Sequence, residues 1–133
     1  MRQILEYKRK IFGYECDIYG HLNNANYLHL LEEARADALE QMQLPVRKLA
    51  EMGFHIYLTN IELSFIKGLP LESIVMIKSY IESGDRLQFT WKQEMYNEQE
   101  ELCSKAAVKG CFIKNGKPSR ISPEILEVFL SYT

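Results

Sequence analysis

Asp17 precedes a Gly20-His21 pair and then an Asn23-Asn24 pair, and from Tyr27 the chain becomes a long run with apolar residues at helical spacing. A carboxylate just ahead of a helix N-terminus is a chemical device. The helix end offers unpaired N–H groups and the positive end of its dipole. The acid offers a base or a nucleophile beside whatever anion those groups hold. Asp17 is therefore the candidate catalytic residue, with a loop acid or cap as the plain alternative for such a carboxylate taken alone. Asn23 or Asn24 is the candidate N-cap, with the neighbouring amides as donors, and Gly20 permits the turn between them.

Other chemistries find less support. Cys16, beside Asp17, is a conceivable nucleophile, but a small buried residue at a strand end is the simpler reading. Cys16, Cys103 and Cys111 are odd in number and show no CxxC spacing, so neither a disulfide framework nor a zinc site is expected. His21, His29 and His55 form no HxxxH or HExxH pattern, so no metal site is expected. A net charge of −2 argues against nucleic acid as a general partner. No apolar run of about 18 residues exists to span a membrane, and residues 1–8 lack an apolar signal core. A cytoplasmic location is expected.

The elements that must position Asp17 are legible in outline. The 133 residues predict one domain, 1–133, and 47% apolar with 26% charged residues is an ordinary globular mixture. Residues 3–15 read as a strand that delivers Asp17 at its exit. The helix after the loop runs to about Met42, with Tyr27, Leu30, Leu31, Ala34, Ala38 and Met42 on one stripe. Glu32 is placed to pair with Arg35, and Glu33 to face Asp37. Pro45 opens a short helix over 46–52, and Gly53 stops it. Strands follow at 54–65, 73–83, 86–96 and 102–114. Leu87, Phe89, Trp91, Gln93 and Met95 face inward on the third of these. Lys105 and Lys109 share a face with Cys103, Ala107 and Cys111. Asn115-Gly116 is a hairpin turn, and Ser122-Pro123-Glu124 opens a last helix. The class is α+β: one long helix packed on one antiparallel sheet of about five strands. The sheet's edges are pairing sites, so dimerisation through them is expected.

Within residues 17–35, Asp-x-x-Gly-His-Leu-Asn-Asn-x-x-Tyr followed by Leu-Glu-Glu-Ala-Arg resembles the signature of hotdog-fold acyl-CoA thioesterases of the 4-hydroxybenzoyl-CoA thioesterase type. Residues 61–71 resemble the strand and turn that follow the helix there, and the element order matches over nearly the whole chain. The resemblance implies a sheet wrapped around a central helix, in homodimers whose sheets join and which often pair into homotetramers. It implies an acyl-CoA substrate, active sites between subunits, an acyl chain lying along the helix, and no metal or organic cofactor. It makes Asp17 the catalytic carboxylate and the amides near Asn24 the donors that polarise the thioester carbonyl. Glu33 and Arg35 match family positions. Glu33 is either a surface acid or a polar group presented to the pocket from a partner subunit. Tyr27 is core by its stripe and pocket lining by the resemblance. His21 is read as a packed loop histidine first and an acid second.

Two routes follow for Asp17: direct attack on the thioester through a mixed anhydride, or activation of a water. Four alternatives carry distinct expectations. Hydrolysis of acyl carrier protein thioesters requires a basic patch, which the sequence does not show. A non-catalytic acyl-thioester binding protein has no need of Asp17. A scaffolding oligomer binds and turns over nothing. A hotdog dehydratase would need a different acid–histidine arrangement.

Overall fold

The computed structural model describes residues 3–132. The chain forms β1 (Leu5–Lys10), α1 (Tyr27–Gln41), α2 (Val46–Glu51), β2 (His55–Phe65), β3 (Ile74–Gly84), β4 (Gln88–Tyr96), β5 (Leu102–Lys114), the two-residue β6 (Lys117–Pro118) and α3 (Pro123–Leu130). Short 3-10 turns occupy Gly13–Glu15 and Asn24–Asn26. The strands form one antiparallel sheet in the order β1-β3-β4-β5-β2, with β6 on β5. The sheet curls around α1, the helix-in-sheet arrangement expected of a hotdog fold.

Alternation explains the sheet. Phe89, Trp91, Gln93 and Met95 of β4 are buried while the residues between them are half-exposed. Tyr27, Leu30, Leu31, Ala34, Ala38 and Leu39 of α1 meet this inner face with Val75, Ile77 and Val108. Ser122 caps α3 by accepting from the Ile125 N–H, with Pro123 at its first position. Asn115 and Gly116 both take positive φ, as the β5–β6 turn requires.

Two expectations need correction. The first strand is shorter than 3–15: it ends at Lys10, and residues 13–15 wind into a 3-10 turn that buries Glu15. Cys103 also leaves the face of Lys105 and Lys109. The β4–β5 register shifts at Met95/Tyr96, so Cys103 is an extra residue in the ladder, fully buried.

The two edges differ. β1 is six residues long and exposes Glu6, Lys8 and Lys10. β2 is eleven residues long, pairs on one side only, and exposes Tyr57, Leu58 and Phe65. Among the described residues, no helix is long and apolar enough to cross a membrane.

Candidate active site

Asp17 sits in a tight loop between the 3-10 turn at residues 13–15 and the one at residues 24–26. Its N–H donates to the His21 carbonyl at 3.0 Å, and its carbonyl accepts from the Gly20 N–H at 3.1 Å. Gly20 has φ +77°, a conformation that an L side chain resists. Asp17 Oδ1 accepts from the Tyr19 N–H at 2.9 Å. Oδ2 has no hydrogen-bond partner among the described residues, and the carboxylate is half-buried. One oxygen fixes the rotamer and the other is available.

The helix start lies beside this loop. Asn23 caps it: its Oδ1 accepts from the Ala25 N–H at 2.9 Å. The Asn26 N–H is taken by the Asn23 carbonyl at 2.9 Å. The Asn24 N–H, first in the turn, has no acceptor among the described residues, as helix geometry dictates for such a position. Loop and helix start are clamped together through Glu15, whose carbonyl accepts from the Asn23 N–H at 2.9 Å and from Asn26 Nδ2 at 2.8 Å.

A second loop, residues 66–71, braces the first. Leu22 N–H donates to the Leu69 carbonyl at 2.8 Å, and Leu71 N–H to the Gly20 carbonyl at 3.0 Å. The bulged Cys103 holds this brace, its carbonyl accepting from both the Ile66 and Lys67 N–H groups at 2.9 and 3.0 Å. His21 lies against Gly68, where a Cβ would fall 2.9 Å from the ring. The imidazole is exposed and makes no hydrogen bond among the described residues.

Tyr27 is buried and stacks edge-on against Phe65 at 4.9 Å. Its phenol is held above the ordinary range by burial first, then by the charges of Cys103 and Asp17, so it lies within electrostatic reach of the carboxylate. Cys16 gains nothing as a nucleophile. Burial, Asp17 and Glu15 all push its thiol up, away from the reactive thiolate.

Glu33 is not brought to Asp17 within this chain. It accepts from Tyr7 Oη at 2.9 Å and from Arg9 NH1 at 3.0 and 3.1 Å. Arg9 reaches on through NH2 to the buried Glu15 carboxylate, which also accepts from the Phe12 N–H at 3.0 Å. The Arg9 guanidinium thus ties β1, α1 and the base of the Asp17 loop together. Sequence reasoning missed Arg9, Glu15 and Asn26. The available signal was that Arg9 shares the inward face of β1 with Leu5 and Tyr7, where an unpaired cation is not stable. The expected Glu32–Arg35 pair does not form. Arg35 NH1 instead donates to Gln93 Oε1 at 2.8 Å. Lys67 pairs with Glu101 at 2.6 Å on the surface.

An apolar cavity of about 290 Å³ lies further along α1, away from Asp17, lined by Leu39, Leu49, Phe54, Phe89 and Trp91 with Arg35 in its wall. β2 links the two regions: its Phe65 touches Tyr27 near the loop, and its residues 55–58 line the cavity. A held carboxylate, a free helix-start amide and an apolar recess along the same helix can attack or hydrate an acyl carbonyl, accept its developing charge and house its tail.

Known proteins resemble this chain in sequence and fold. The family model described as the thioesterase-like superfamily matches residues 13–129. A protein of Aquifex aeolicus (strain VF5), provisionally named an esterase, is 32% identical over 122 residues, 92% of this chain and 94% of its own length. The long-chain acyl-CoA thioesterase FadM of Escherichia coli (strain K12) is 33% identical over 73 residues, 55% of this chain and 54% of that protein. A crystal structure of a hypothetical protein from Aquifex aeolicus superposes with a TM-score of 0.88 at 31% identity, over 93% of this chain and 98% of that one. The DHNA-CoA thioesterase of Staphylococcus aureus has the same fold, with a TM-score of 0.86 at 24% identity over 97% and 89% of the two chains.

Proposed function

Since the chain belongs to the thioesterase-like superfamily, we propose that it hydrolyses acyl-CoA thioesters to free acid and CoA at Asp17. It is a thioester hydrolase by family; the CoA carrier and the residue roles are our reading. One observation carries it: Asp17 keeps Oδ2 unengaged in the loop that Glu15 ties to the unpaired Asn24 amide. Oδ2 attacks the carbonyl, or takes a proton from the water that does. The Asn24 N–H and the helix dipole receive the oxyanion; one such donor is worth about 10²–10³ in rate. The thiolate leaves without acid assistance, consistent with His21 lying idle against Gly68.

The acyl tail runs from Tyr27 and Phe65 toward the cavity. The long edge of β2, with Tyr57, Leu58 and Phe65 exposed, joins the same edge of a second copy and covers that path. Asp17 is the catalytic residue in this reading, while Gly20, Asn23 and Asn24 shape the oxyanion site and Tyr27 lines the entrance. Chain 1–133 acts as one hotdog unit.

The test is release of free thiol from short, long and aromatic acyl-CoAs and from acyl carrier protein thioesters, with oligomeric state measured alongside. CoA thioesters should turn over in a dimer or tetramer. Cleavage of carrier-protein thioesters alone moves the activity to that carrier. Binding without turnover makes the chain an acyl-thioester binding protein.

A further inference from the structure

A line of polar groups crosses the core beneath the cavity. Gln93 on β4 is 0% exposed and Ser79 on β3 is 1% exposed. Gln93 Nε2 donates to the Leu31 carbonyl of α1 at 3.0 Å and bonds Ser79 Oγ at 3.0 Å. Its Oε1 accepts from Arg35 NH1 at 2.8 Å. Buried polar groups cost stability unless fully paired, and an apolar core could replace them. This set is fully paired, and what it achieves is to hold one guanidinium in the wall of an apolar cavity.

That guanidinium is not itself saturated. Arg35 carries five N–H donors, and Gln93 is its one hydrogen-bond partner among the described residues. Leu39, Leu49, Phe54, Phe89 and Trp91 surround the remaining space. Glu32 lines the same cavity without forming an ion pair with Arg35. Burial lowers the affinity of the guanidinium for its proton, and Glu32 at a distance works the other way.

Resting on the acyl-thioester reading above, we propose that Arg35 is a specificity residue that recognises the far end of the acyl group. The cavity takes a chain bearing a neutral oxygen function, a hydroxyl, near its distal end. A plain hydrocarbon end would cover the guanidinium donors and leave them unbonded, which is unfavourable. A distal carboxylate would meet Arg35 but also Glu32. A hydroxyl accepts from Arg35 and donates to Glu32, matching both.

Position along the helix sets the length. Arg35 lies about 12 Å beyond Tyr27 along the axis of α1, and the 3-10 turn adds about 6 Å back to Asn24. The Arg35 side chain leans toward the helix N-terminus and shortens that gap of about 18 Å by a few ångströms, so a carbonyl at Asn24 needs an extended tail of roughly a dozen carbons to reach it.

The experiment compares kcat/KM for ω-hydroxydodecanoyl-CoA and dodecanoyl-CoA in the wild type, Arg35→Met and Arg35→Lys. The wild type should favour the hydroxylated substrate about 10-fold or more, the scale of a hydrogen bond to a charged group. Arg35→Met should bring that ratio to one or below, and Arg35→Lys should keep part of it. A wild-type ratio at or below one overturns the proposal by itself, whether or not Arg35→Met folds. So does a ratio that Arg35→Met leaves unchanged. Hydrolysis of butyryl-CoA, too short to reach Arg35, checks the underlying reading separately. If butyryl-CoA and both long substrates resist cleavage, hydrolysis and the Arg35 proposal fall together; if they are cleaved without preference, the Arg35 proposal falls alone.

Discussion

Replacing Arg9 by Met removes a guanidinium that is bonded at once to Glu15 and Glu33 while keeping an apolar stem of similar length. The side chains of Arg9 and Glu15 are 11% and 6% exposed, so the substitution strands a carboxylate nearly out of water. Glu15 then retains the Phe12 N–H as its one donor. Breaking a buried pair from one side costs about 3–5 kcal/mol. Glu33, 40% exposed, recovers water, which places the loss near about 3 kcal/mol. For a chain of this length that lowers Tm by roughly 10 °C. The catalytic effect follows from the backbone of the same residue, because the Glu15 carbonyl holds Asn23 and Asn26. A loosened loop misplaces Asp17, so kcat should fall about 10-fold or more, while KM moves little. The assays are thermal melting followed by circular dichroism, and steady-state thiol release. Arg9→Met/Glu15→Gln should recover about half the lost stability, since the stranded charge is gone. Melting of Arg9→Met within about 2 °C of the wild type, with kcat intact, would refute the clamp.

Asn23→Ala removes the oxygen that accepts from Ala25 N–H and should cost about 1 kcal/mol in urea unfolding, with kcat reduced more than KM is raised. Gly110→Ala puts a Cβ 2.6 Å from the Phe89 ring and 2.9 Å from the Tyr57 carbonyl, so it should destabilise by about 1–3 kcal/mol in urea unfolding. Asp85 accepts from the Gln88 and Leu87 N–H groups at 2.9 and 2.8 Å, and these hold its carboxyl below the usual carboxylate range. Its contribution to stability is therefore present above its unfolded value, about 3.9, and is lost as pH falls from there through its lower folded value. The stability gap between wild type and Asp85→Asn should narrow over that acidic window in urea titrations.

Patterns that depend on near neighbours were legible in the sequence. The stripe of α1, the alternation of β4, the Ser122-Pro123 helix start and the Asn115-Gly116 turn each declare themselves within a few residues, because a helix face, a pleat or a cap is a local object. The placement of Asp17 before a capped helix start was readable for the same reason. Features set by partners distant in sequence were not readable. Residues 13–15 have strand-forming character, yet they wind up because Arg9 and the Phe12 N–H draw Glu15 inward. Cys103 bulges because the register against β4 shifts there, a property of two strands together. Arg35 has an acid at i−3 and looked like half of a helical pair. Across 58 residues Gln93 offers it a buried oxygen instead. Glu33 likewise answers to β1, not to its neighbours on the helix.

The measurement that bears most directly on the central claim is kcat for dodecanoyl-CoA in the wild type and in Asp17→Asn. The amide keeps an oxygen to accept from Tyr19 N–H, so the loop and the fold survive. What it loses is the anionic oxygen that attacks or takes the proton. In Asp17→Asn kcat should fall at least about 10²-fold with an unchanged melting curve. An Asp17→Asn protein that melts and turns over like the wild type would place the chemistry elsewhere.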